Sequence, residues 1–143
     1  MKGKSTEALT LLLRDLQADR AGYGRLRELL EAQFQAALRH QAEPLQRLAD
    51  EIVALVDELD AHTRQRGLLL RKLLGSQGEP TMSRLLQRLP TTAAQALGGL
   101  WTALEEQVRE CKALNQRNCQ LITEQQALMR RVMGVEEGLY AES

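Results

Sequence analysis

Residues 45–73, LQRLADEIVALVDELDAHTRQRGLLLRKL, settle what kind of fold this chain makes. Leu45, Leu48, Ile52, Leu55, Leu59, His62, Arg66, Leu69 and Leu73 recur at alternating intervals of three and four, which places them on one helical face. Such a seam needs a partner helix. Only His62 and Arg66 interrupt it, and the pair reads as a wet layer within the packing. The run Gly75-Ser76-Gln77-Gly78-Glu79-Pro80 then ends the helix with both glycine and proline.

Upstream, Ser5 or Thr6 is placed to cap a first helix, with Glu7 in its first turn. Leu9, Leu16, Tyr23, Leu30 and Ala37 recur at every seventh position, flanked by Leu12, Leu13, Leu26, Leu29 and Phe34. Gly22 and Gly24 around Tyr23 suit a bend or a close contact. The pattern fades at residues 39–43, and Pro44 fits the first turn of the next helix. A break between the two and a kinked continuous helix both satisfy that reading.

Downstream, a short helix is expected over Thr81–Arg88, with Met82, Leu85, Leu86 and Leu89 on its apolar side. Pro90 stops it, and Thr91 or Thr92 can cap the next helix. That final helix is expected from about Ala93 to Met133, on the order of 60 Å long. Leu97, Leu100, Trp101, Leu104, Val108, Cys111, Leu114, Leu121, Ile122, Leu128 and Val132 form its stripe. Gly98-Gly99 is a soft spot, Gly134 its expected end, and residues 135–143 a tail. Amphipathic helices bury their stripes only side by side. The expectation is an all-α, elongated antiparallel bundle of three long helices plus one short one. It forms a single domain over 1–143, with a hairpin over 6–74, a short and a long helix over 81–134, and the tail.

Composition narrows the function. The 19 Lys and Arg residues cancel the 19 Asp and Glu residues, with no basic stripe to neutralise phosphates, so nucleic acid is excluded as an expected partner. The start of the chain meets Arg14 and Asp15 before any secretory h-region can form, and no stretch has membrane-spanning length. Cys111 and Cys119 on one helix lie about 12 Å apart, too far for a disulfide. A reduced, cytoplasmic protein with no membrane insertion is expected.

Chemistry is sparse. His40 and His62 lack the Glu-x-x-His spacing of a di-iron bundle and any Cys or carboxylate at ligand spacing, so no metal is expected. Gly75 and Gly78 lack the Lys-Ser/Thr of a phosphate loop. Cys111 has no nearby His and reads as a small buried stripe residue. No catalytic residue, no cofactor and no enzyme activity are expected.

There is also a polar notch. Asn115 and Asn118, three residues apart, interrupt the last helix's stripe. Buried amides cost stability unless they fix a register or meet a partner, and both uses fit here.

Trp101, then Leu114-Asn115-Gln116-Arg117-Asn118, then the stripe from Ile122 to Leu128, then Leu139-Tyr140, resembles the FlgN family of flagellar export chaperones. The likeness is specific over roughly residues 100–140. Cys119 stands where the family motif usually has glycine after the second asparagine, and Ala141 where it tends to have glycine after Leu-Tyr. The resemblance implies a cytosolic chaperone that binds hook-associated (hook–filament junction) proteins before export. It implies client-binding roles for Leu114, Asn115, Asn118, Leu121, Ile122, Gln125, Leu128 and Val132, and export-gate docking for Tyr140. A structural coiled-coil adaptor, whose heptads serve self-assembly, is the alternative. A homo-oligomer of the client-free chain stays open under either.

Overall fold

The computed structural model describes residues 2–142, without the side chains of residues 2, 4, 5 and 140–142. The described residues form four helices and no strand: α1 (Lys2–Leu38), α2 (Ala42–Leu74), α3 (Met82–Arg88) and α4 (Thr91–Glu142). The fold is all-α, with three long helices and one short. None of the helices is long and apolar enough to cross a membrane.

The register is legible from paired residues. Asp19 meets His62 and Asp15 meets Arg66, so α1 and α2 run antiparallel. Tyr23 meets Cys111, Leu30 meets Asn118 and Ala37 meets Gln125, a constant offset that makes α4 parallel to α1. The chain therefore runs up, down, up. Among the described residues α1 packs along both α2 and α4, while α2 and α4 do not approach each other to backbone packing distance. A groove is left between them.

The turn into α2 is tight. His40 adopts φ 53, and Pro44 sits in the first turn of α2, so the chain breaks rather than kinks. At the other end Gly75, at φ 80, turns the chain out of α2. Three arginines tie down this helix end and the loop beyond it: Arg71 donates to the carbonyls of Gly75 and Gly78, Arg84 to Gln77 and Glu79, and Arg88 to Leu74. The Arg88 bond satisfies a carbonyl that the helix end leaves unpaired, and the others hold the loop. Thr81 caps α3 by accepting from the Arg84 backbone N–H.

Two apolar clusters make the core. Ala8, Leu12, Leu16, Leu69, Leu70, Leu74, Met82, Leu85, Leu97 and Leu104 close the end covered by α3. Leu26, Leu30, Leu59 and Cys111 form the second cluster further along, and Tyr23 packs against both. Gly22 admits α2 closely: a Cβ there would lie 2.8 Å from Leu59 Cδ2.

Two expectations need correction, and a third point left open by the sequence is answered. Ser5 and Thr6 lie inside α1, which is already helical at Lys2. Gly98-Gly99 does not interrupt α4, because Gly98 lies under Leu86 of α3 and the turn is held by packing. Gly134 does not end α4: the helix continues to Glu142, and residues 135–142 are helical rather than a loose tail. Glycine costs a helix about 1 kcal/mol, and the low-cost helix formers Glu136, Glu137 and Leu139 let α4 continue past Gly134 and Gly138.

Candidate functional site

Where the two core clusters part, α1 and α2 place four polar side chains together. Asp19 is fully buried, and its carboxylate accepts from Arg66 Nη1 and from His62 Nδ1 at 2.7 Å. Arg66 also donates to Asp15 at 3.0 Å, and its guanidinium carbon stands 5.5 Å from the centre of the Trp101 ring. The seam reading found His62 and Arg66 but missed Asp15 and Asp19, whose partners lie 43 to 51 residues away. Burial, then repulsion from Asp19, pushes the Asp15 carboxyl above its ordinary value, and Arg66 opposes the rise.

The ligand atoms of Asp15, Asp19 and His62 all lie within 4.8 Å of one another. Those carboxylates already share a buried guanidinium, which offsets part of their negative charge within the protein. The cluster reads as an ionic crosslink between α1 and α2, with Trp101 of α4 as its lid.

The sequence-identified notch divides in two. Asn118 is fully buried. Its Nδ2 donates to the Leu30 carbonyl at 2.7 Å and to Gln33 Oε1 at 2.8 Å, while its Oδ1 accepts from Arg117. Arg117 in turn lies 3.7 Å over the Phe34 ring and reaches Glu31. Asn115 is exposed and borders the groove. Three residues on a helix turn through 300°, so the two amides diverge by about 60°, enough to separate inside from edge.

Other residues of the stripe are spread along α4 in order of depth. Leu114, Leu121, Ile122 and Gln125 are half-buried, and Gln125 donates to the Ala37 carbonyl at 2.9 Å. Leu38 ends α1 there. Beyond it α4 projects as an arm with no other helix alongside among the described residues, and the stripe continues into solvent: Leu128 is 61% exposed and Val132 50%. Met129, Met133, Val135 and Leu139, absent from the expected site, are exposed with them. Met129 and Met133 each follow a stripe residue inside the expected helix, whereas Val135 and Leu139 join the strip only because the helix runs through Gly134. The side chain of Tyr140 lies outside the described residues.

The α2–α4 groove is the second open feature. Tyr23, Leu26 and Leu30 floor it, Ile52 and Val56 form one wall, and Val108, Lys112 and Asn115 the other. It continues past Tyr23 to Arg66, Trp101 and Arg109. Cys111 is buried beside its floor, and burial raises its thiol pKa, the direction opposite to an activated nucleophile.

The fold is a pinned helical stem that carries an exposed apolar arm. The sequence model of one family, described as FlgN protein, matches residues 1–135. The chain belongs to the FlgN family and is thereby a flagellar export chaperone. Comparison with curated proteins and with solved structures gave no match.

Proposed function

We propose that this chaperone binds hook-associated, hook–filament junction proteins in the cytoplasm, prevents their premature assembly and delivers them to the flagellar type III export apparatus. The arm of α4 makes the contact, through Leu128, Val132 and their exposed neighbours, with Leu121, Ile122 and Asn115 continuing the surface onto the stem. Asn118 and Gln125 position that surface from inside. Tyr140 docks the loaded chaperone on the export gate. The protein acts by binding alone, with no catalysis and no cofactor.

One observation carries the reading. Leu128, Met129, Val132, Met133, Val135 and Leu139 form an apolar strip beyond the end of α1. An amphipathic client segment would cover that strip in a helix-against-helix complex. A client ordered on binding spends part of its interaction energy on its own folding, which keeps the complex releasable. Truncation after Gln125 tests the site. The stem should stay helical and fold cooperatively, while co-purification with a junction protein is lost. Undiminished capture by the truncated chain rejects the arm as the contact.

A further inference from the structure

We propose that the client's docking segment is an amphipathic helix that runs parallel to α4 and takes up the line of α1 where α1 ends. It would complete a coiled-coil seam that α4 carries on alone, an inference that rests on the client-binding reading. From Leu97 to Leu139, α4 steps by threes and fours without a slip. Every seventh residue from Leu97 holds position a of a heptad abcdefg, and every seventh from Leu100 holds position d. Up to Gln125 the a positions meet α1. Cys111, Asn118 and Gln125 each bond the α1 carbonyl 88 positions earlier, at Tyr23, Leu30 and Ala37, themselves seven apart. The α1–α4 contact is therefore parallel and in register, a against a. Then α1 stops at Leu38. Leu128, Val132, Val135 and Leu139 carry the seam about 17 Å further, exposed and with no polar residue among them.

The flanks of the seam define what the partner carries. In a parallel pair, position g of one helix meets position e of the following heptad on the other. The stem obeys this rule: Glu110 (g) pairs with Arg27 (e) at 2.9 Å, and Arg117 (g) lies 3.7 Å over the ring of Phe34 (e). Glu124, the next g residue, already accepts from Gln120. In the arm the corresponding residues are Arg131 (g) and Glu136 (e), exposed and without an ion pair among the described residues. A helix continuing the line of α1 answers both with a basic residue at its own g and an acidic one five residues on, at e. Its positive N-terminal end would then face the negative C-terminal end of α1. A second copy of this chain does not fit. Running parallel, its α4 would pass through the space that α1 holds. Running antiparallel, with both seams fully overlapped, it would set Arg131 against Gly138 and Glu136 against Met129, and neither charge is answered.

The probe is a synthetic peptide of about fourteen residues, ~21 Å long as a helix. It carries leucine at a and d, one lysine at g and, five residues on, one glutamate at e. Isothermal titration should show it binding the full chain. Arg131→Glu with Glu136→Lys should weaken binding about tenfold, and a peptide with lysine and glutamate exchanged should restore it. Circular dichroism checks that the variant stays helical. Direction is read with a nitroxide on Cys119, which is exposed whereas Cys111 is buried. The label should broaden the NMR signals of the peptide's N-terminal end and spare its C-terminal end. Saturating peptide should also displace a captured junction protein. The seat is overturned by a peptide whose C-terminal end lies nearer the label, or by charge reversals that neither weaken nor rescue binding. A junction protein held undisturbed beside the bound peptide overturns it too, as does a dimer of the chain that the peptide breaks apart, which would give the seam to a second copy. In any of these cases the arm remains the client contact if truncation after Gln125 abolishes capture. If the truncated chain still captures the client, both readings fall.

Discussion

Asn118 of α4 donates to the backbone carbonyl of Leu30 on α1, and the two residues are fully buried where they meet. The Leu30 oxygen is thereby held by a side chain from another helix, and Gln33 and Arg117 complete the amide's bonding. A one-residue slip of α4 would carry the buried Asn118 amide away from both of its acceptors on α1. The buried amide is therefore a register pin, which fixes where the arm begins.

Asn118→Ala should destabilise the fold by about 1–3 kcal/mol, the cost of orphaning buried polar groups. Denaturant unfolding measures it. Client capture at a temperature well below the new midpoint should be unchanged. Lost capture with intact stability would instead make Asn118 a direct recognition residue.

Arg66 and Asp19 form the second pin, and their charges make its failure asymmetric. Arg66→Met should cost about 3–5 kcal/mol, because it strands a fully buried carboxylate. Adding Asp19→Leu removes the more deeply buried of the two carboxylates and should recover part of that loss, with Asp15 still in the layer. Chemical denaturation of the two variants side by side tests this. A double variant no better than Arg66→Met alone would show that the layer holds α1 and α2 together in some other way.

The bundle was legible because helix periodicity is local: the strict three-four seam from Leu45 to Leu73 needs no knowledge of its partner. The ionic layer was half legible. His62 and Arg66 broke a seam and so drew notice, whereas Asp15 and Asp19 sit on a helix whose polar residues look like ordinary solvated surface. Only the antiparallel register brings them together. The Asn115–Asn118 motif was visible, but spacing could not say that 60° of helical rotation sends one amide inward and leaves the other at the groove. The arm was misread for a local reason. Gly134 carries a stop signal, and the helix-forming residues after it outweigh that signal.

Asp15 should give the protein a pH signature. Its folded pKa is raised above 3.8, chiefly by burial, so between that value and the folded one the native state holds more protons than the unfolded chain. Its contribution to stability is thus fullest at low pH and falls as pH rises through the folded pKa. Asp15→Asn keeps an acceptor for Arg66 and removes that slope. Stability of the variant relative to the wild type should improve as pH rises from about 3.8, read by urea unfolding at a series of pH values. A constant difference across the series would refute the assignment.

The arm separates holding from handing over. Val132 and Met133 are exposed and touch no buried cluster, so Val132→Asp with Met133→Asp should change stability by only about 0.5 kcal/mol, as surface substitutions do. The same pair puts two carboxylates into the strip proposed to meet a client helix, where burying an unpaired charge is prohibitive. Capture of a junction protein should fall at least about a hundredfold, equivalent to roughly 2.8 kcal/mol. Tyr140→Ala, at the gate end, should leave capture intact and lower export of the client into the medium. Isothermal titration and a secretion assay on the same two variants decide between the roles. If Tyr140→Ala weakens both to the same degree, the tyrosine belongs to the client strip, and gate docking has to be sought elsewhere on the chaperone.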